Sequence, residues 1–123
     1  MYDGVLGTSA APMPMVFMDC HSNGHFNTCN ITITLSPNSS YTLPLASGKT
    51  ATGTIFITGL NDFTFFGIGP DAAITLVGNN GSIGWTNSNT SDLHCLYDNG
   101  TTAIVRNNTS ASHEYHIQIN YVR

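Results

Sequence analysis

The sequence predicts an all-β fold, an antiparallel β-sandwich or jelly roll of about eight or nine short strands behind an extended N-terminal arm. Three observations predict it. Apolar and polar residues alternate over short stretches, most clearly in Ile31-Thr32-Ile33-Thr34-Leu35 and from Glu114 to Val122, which places one face of each strand in a core. Turn-forming residues separate these stretches. No segment carries the periodicity of an amphipathic helix.

The first fifteen residues hold Gly4, Gly7, Pro12 and Pro14 among small side chains, so they read as an extended arm. Together with the loop Cys20 to Cys29 this predicts a boundary: residues 1–28 form the arm and a Cys/His loop, and residues 29–123 form the sandwich. Within the arm, Met13, Met15, Val16 and Phe17 are the candidate anchoring residues. After the strand 31–35, the turn Ser36-Pro37-Asn38-Ser39 leads into a strand from Tyr41 to Leu45. Thr54 to Thr58 and Phe63 to Phe66, joined by Gly59-Leu60-Asn61-Asp62, read as a hairpin. Further strands are expected at 73–77, 81–86, 93–97 and 102–106, the last two joined by the hairpin signal Asp98-Asn99-Gly100. The closing strand, 114–122, turns Tyr115, Ile117, Ile119 and Tyr121 to one face. The alternative is a short β-solenoid, because apolar segments near 31, 54, 74 and 94 recur at roughly 20-residue spacing. The hairpin signals favour the sandwich.

Charge is scarce. Charged residues make up 8% of the 123 residues and the formal net charge is −4, against about 25% charged in an average soluble chain. Amides, hydroxyls and glycine must supply the polar surface, which suits a surface covered by neighbouring subunits. With only Lys49, Arg106 and Arg123 as cations, nucleic acid is excluded as the main ligand. Membrane insertion is not expected either, since no apolar run approaches the roughly 20 residues a span requires. The N-terminus lacks the basic and apolar regions of a secretory signal. Asn30, Asn38, Asn89, Asn99, Asn107 and Asn108 are each followed by the Asn-x-Ser/Thr pattern, frequent by chance in a chain so rich in these residues.

The sequence holds candidate binding residues and no recognisable catalytic set. The carboxylates are six aspartates and Glu114; Asp62, Asp71 and Asp98 sit in turns, where capping is their ordinary work. No nucleophile elbow, phosphate loop, His-Glu-x-x-His or dinucleotide fingerprint is present, so the chain reads as a non-enzyme without cofactor. Cys20, His21, His25 and Cys29 are weak metal candidates, since their spacing matches no standard zinc module. Three cysteines cannot all pair within one chain; Cys20 and Cys29 are able to close a hairpin, but three reduced thiols are expected. His113 and His116 would diverge on a strand, as positions three apart face opposite sides. Trp85 beside Asn87 and Asn89 is a candidate sugar site, ring against sugar face and amides to hydroxyls, with a core or interface tryptophan as the plainer reading. Tyr97, Tyr115 and Tyr121 complete the candidate interface residues.

Leu93-His94-Cys95-Leu96-Tyr97-Asp98-Asn99-Gly100-Thr101-Thr102-Ala103-Ile104-Val105-Arg106-Asn107-Asn108, followed by the alternating strand to Tyr121, resembles the small β-sandwich (jelly-roll) domains of bacteriophage head fibres, tail fibres and capsid decoration proteins. The resemblance implies a virion structural protein on the particle exterior. It also implies self-assembly, as a homotrimer, and docking on a major capsid or tail protein. Assembly in the host cytoplasm and contact with host-surface glycans are further expectations. The alternative function is a secreted carbohydrate-binding, lectin-like module.

Overall fold

In the computed structural model, residues 16–23, 26–45, 49–70, 73–80, 83–100 and 102–122 are described. They form ten strands and no helix: β1 Val16–Asn23, β2 Phe26–Leu35, β3 Ser39–Thr42, β4 Ala51–Ile57, β5 Phe63–Ile68, β6 Ile74–Asn80, β7 Trp85–Thr86, β8 His94–Asp98, β9 Ala103–Asn107 and β10 His113–Val122. Six of them make one sheet in the order β1-β2-β10-β4-β5-β6, and four make a second in the order β3-β9-β8-β7. Every pairing is antiparallel except the two-residue contact of β7 with β8. The two sheets share one apolar core, as in a β-sandwich. The antiparallel pairing also overturns the solenoid alternative, whose strands would run parallel.

Alternation in the sequence becomes alternation in burial. β4 alternates buried residues with exposed or half-buried ones along its length, and β9 alternates buried with half-buried. From the large sheet, Ile31, Ile33 and Leu35 of β2, Ile55 and Ile57 of β4, and Tyr115, Ile117 and Ile119 of β10 are nearly or fully buried. The small sheet answers with Trp85, Leu96, Ala103 and Val105. β2 and β10 pair over ten positions, from His113 opposite Leu35 to Val122 opposite Phe26, and form the axis of the large sheet. Asn107, fully buried at the end of β9, ties the sheets together where they meet: its Nδ2 donates to the carbonyls of Leu35 at 2.9 Å and Ala111 at 2.8 Å, while its Oδ1 accepts from Thr109 N and Oγ1.

Both expected hairpins are present. β4 and β5 pair from Ala51 opposite Ile68 to Phe56 opposite Phe63. β8 and β9 turn through Asp98-Asn99-Gly100, with Asp98 Oδ1 accepting from Gly100 N at 3.1 Å and Gly100 at φ 103°, a conformation that glycine adopts freely. Several boundaries shift: the strand expected at 31–35 begins at Phe26, that at 54–58 lies at Ala51–Ile57 and that at 73–77 lies at Ile74–Asn80. The strand expected at 41–45 lies at Ser39–Thr42, and of 81–86 only Trp85 and Thr86 are strand among the described residues.

The N-terminal division needs correction. Val16–Asn23 is a strand, not arm, and the expected boundary between 28 and 29 falls inside β2. The reason lies in its position: β1 is the sheet edge, its described side chains are exposed on both faces, and so its sequence carries no alternation. Met13 and Met15 lie outside the described residues, whereas Val16 and Phe17 open β1.

The expectation of three reduced thiols also fails. Cys20 and Cys29 are directly opposed across β1 and β2, with Cα atoms 4.0 Å apart, and are joined by a disulfide; Cys95 is the free, buried cysteine. Removing the bond in a Cys20→Ser/Cys29→Ser variant is expected to cost about 2–3 kcal/mol, the loop-closure entropy of a short ring. Urea unfolding with and without reductant checks this: reductant should lower the midpoint of the natural chain and leave that of the variant unchanged.

Candidate functional site: two binding surfaces and a buried polar triad

The outer face of the six-stranded sheet is not covered by any other described element. Its middle is neutral and polar. Cross-strand register places Phe17, Thr32, His116, Phe56 and Phe63 in one row spanning β1, β2, β10, β4 and β5. The next row carries Asp19, Asn30, Gln118, Thr54, Phe65 and Val77. Directly opposed side chains share a face, so these rows form a continuous surface. Four of its apolar members are more than half exposed: Phe17 66%, Phe56 52%, Phe65 51% and Val77 60%. Val16 and Met18 pair with the buried Ile33 and Ile31 yet stay exposed at the edge of the sheet.

His116 organises the centre of this face. Its ring stacks on Phe56 with centroids 4.7 Å apart and planes 13° from parallel. Its Nδ1 lies 3.3 Å from Thr32 Oγ1, and its Nε2 lies 2.6 Å from Thr58 Oγ1 and 3.1 Å from Glu114 Oε1. Thr58 Oγ1 donates to Glu114 Oε1 at 2.7 Å, and that bond, with the neighbouring His116, holds the Glu114 carboxyl below its ordinary pKa. A cleft of about 290 Å³ runs beside these groups, lined in part by Thr32, Thr54, Phe56 and Gln118. His113 and His116 diverge as expected: His113 turns inward toward His94, their ring centroids 5.2 Å apart.

The second surface is a cleft of about 500 Å³ at the loop end of the sandwich, lined among others by Pro37, Asn38, Asn89, Asp92, Arg106 and Asn108. Its rim is braced by backbone bonds: Asn38 N donates to Asn107 O at 2.6 Å, and Asp92 N to Asn108 O at 3.1 Å. Asn38 and Asp92 both adopt left-handed backbone, at φ 64° and 68°. Asn108 is the hub: its Nδ2 donates to Asn89 Oδ1 at 2.7 Å and Thr90 O at 3.0 Å, while its Oδ1 accepts from Arg106 Nε at 2.6 Å.

The third cluster is internal. Asp62, His94 and Tyr115 are all fully buried. His94 Nε2 lies 3.3 Å from Asp62 Oδ2 and its Nδ1 lies 2.8 Å from Tyr115 Oη. A carboxylate only accepts, so Nε2 carries the proton and Nδ1 accepts from the tyrosine hydroxyl. Asp62 Oδ1 accepts from Ile83 N at 3.1 Å. Burial pushes the His94 pKa down, against the opposing pull of Asp62, and burial pushes the Tyr115 hydroxyl up. The order of groups resembles a relay of base and hydroxyl, but none of the three meets solvent, and their work is to join β8, β10 and the β4–β5 turn inside the core.

The expected site residues therefore separate. Trp85, 5% exposed, packs edge-on to Tyr115 with ring centroids 6.0 Å apart, so it offers no face to a sugar. Tyr115 is in the core and is removed from the interface set; Tyr121 packs partly buried against the core, and Tyr97 is partly exposed on β8. Asn87 donates to Ile74 O at 3.2 Å, whereas Asn89 lies in the loop-end cleft, so the two are not one site. Cys20 and Cys29 spend their sulfurs on each other and are not thiolate ligands in this state. His21 is exposed and bonded to Asp19 at 3.1 Å, and His25 lies outside the described residues. Among the described residues no three His, Cys, Asp or Glu side chains gather as a metal site. Phe56 and Phe65 on the exposed sheet face and Asp92 in the loop-end cleft were not among the candidates expected from the sequence. The outward phase of Phe56 and Phe65 within strands that bury their alternate positions was the available signal; Asp92 had none.

Comparison with known proteins finds no matching family model, no similar curated protein and no similar solved structure.

Proposed function

We propose that this chain is a structural subunit of a bacteriophage particle exterior, a decoration or fibre domain that self-assembles through the outer face of its six-stranded sheet. The observation that carries the reading is the two-row surface holding Phe17, Phe56, Phe65 and Val77 on a chain whose charged residues make up only 8%. A patch of exposed aromatics on a protein with little charge to keep it apart favours association. A second copy is the preferred occupant, because the exposed aromatic side chains outnumber the two carboxylates of this face, Asp19 and Glu114, and symmetric homo-oligomers are the commonest assemblies. The trimer and the attachment to a capsid or tail protein come from the resemblance of residues 93–121 to phage decoration and fibre domains.

The Cys20–Cys29 disulfide changes one part of this reading. A bond of that kind persists in oxidising surroundings, so a particle assembled in the host cytoplasm would acquire it on release. Light scattering tests the proposal. The natural chain should show a mass that is a multiple of 13.1 kDa, and Phe56→Asp/Phe65→Asp should dissociate to a folded monomer. A monomeric natural chain that is also missing from purified particles would sink the reading.

A further inference from the structure

We propose that the loop-end cleft between the β2–β3 turn and the β7–β8 and β9–β10 loops is a binding site for a neutral sugar, with Asp92 and Arg106 as its two principal recognition groups. The cleft is independent of the sheet face assigned to assembly, so the two readings stand or fall separately. Its volume of about 500 Å³ falls within the roughly 300–1,000 Å³ usual for small-ligand sites.

The chemistry of its lining selects the ligand class. Asp92 and Arg106 share the cleft, yet they form no ion pair with each other. Among the described residues, the Asp92 carboxylate takes no hydrogen bond, and Arg106 uses only Nε, on Asn108, leaving both terminal amino groups unspent. A carboxylate that only accepts and a guanidinium that only donates call for a ligand whose groups do both, which is what adjacent hydroxyls do. An anion would be drawn by Arg106 but opposed by Asp92 and by the net charge of −4. A cation would meet the reverse conflict. A polyhydroxylated, uncharged ring satisfies both groups and finds further partners in the amide of Asn38 and the hydroxyls of Ser91 and Ser110, with the Pro37 ring as an apolar surface.

The site is also held in shape before any ligand arrives. Asn108 holds Arg106 and Asn89 through one side-chain hydrogen bond each and anchors itself on the Thr90 carbonyl, so this part of the lining loses little side-chain freedom on binding. Asp92 sits at φ 68° although a glycine would adopt that conformation without strain.

The test uses the full chain. An array of neutral and sialylated glycans, followed by ligand-detected NMR of the best neutral hit, should show binding that needs no calcium and prefers neutral over sialylated glycans. Asp92→Gly removes the carboxylate at a position where glycine relieves strain, so it should fold at least as stably and bind roughly tenfold or more weakly, the scale of one lost charge-assisted hydrogen bond. Arg106→Met should lose as much. Absence of binding to any neutral glycan, affinity unchanged from the natural chain in both variants, or a response to calcium alone would each overturn the proposal. The oligomeric mass of the same samples reports on the assembly face separately.

Discussion

His94→Leu is expected to lower the free energy of unfolding by about 3–5 kcal/mol, the cost of leaving one member of a buried polar pair without its partner. The leucine fills the volume of the imidazole but donates nothing, so the fully buried Asp62 keeps only the Ile83 amide as donor and the Tyr115 hydroxyl loses its acceptor. The companion variant Asp62→Leu/His94→Leu removes both polar partners and should recover part of the loss, because no buried carboxylate is then left short of donors, although the Tyr115 hydroxyl and the Ile83 amide lose their acceptors. Chemical denaturation of the natural chain, His94→Leu, Asp62→Leu and the double variant supplies the cycle. The same cluster sets a pH dependence. Burial holds the folded-state pKa of His94 below the 6.5 of the free side chain, so the unfolded chain binds the proton more readily than the folded one. The stabilisation is complete above pH 6.5 and drains as pH falls toward the folded-state value. The His94→Leu variant should have lost this limb of the stability profile.

Gly53→Val is the second large effect, expected to cost about 3 kcal/mol or more, at the upper end of overpacking. Gly53 lies in the middle of β4 between Ile119 of β10 and Phe66 of β5. A Cβ there would collide with the backbone carbonyl of Gln118 and stand 2.5 Å from Phe66 Cζ. The phenyl ring is able to swing; the carbonyl belongs to a neighbouring strand and moves only by disturbing the pairing on which the large sheet is built. Thermal unfolding would register the loss, and Gly67→Val serves as control, since a Cβ at Gly67 meets nothing within 4 Å.

These two sites mark the limit of what the sequence made legible. Strands with one buried face announced themselves: Ile31 to Leu35 and Tyr115 to Tyr121 alternate because the core imposes a period of two, and Asp98-Asn99-Gly100 has the chemistry of its turn. β1 escaped notice because an edge exposed on both sides has no face to encode. Asp62 read as a turn residue, and it does end the turn before β5; what the sequence could not display is that 32 positions later His94 arrives at the same point in the core. The candidate sugar site failed for a like reason. Trp85 and Asn89 are close in sequence, but strand geometry sends the ring inward and leaves the amide in a cleft whose other walls come from near positions 37 and 108.

The position of the disulfide has a mechanical consequence. Tension applied to the chain ahead of Val16 would peel β1 from β2 one pair at a time, a geometry in which hydrogen bonds fail singly and resist little. Four pairs open in this way, from Val16 opposite Ile33 to Asp19 opposite Asn30, before the fork reaches Cys20 and Cys29. There the covalent bond stops it, and the load passes into β2, which is bound to β10 along ten residues and must be sheared with all its bonds loaded together. A hairpin that would unzip under slight force thus becomes a tether whose strength is that of the sheet.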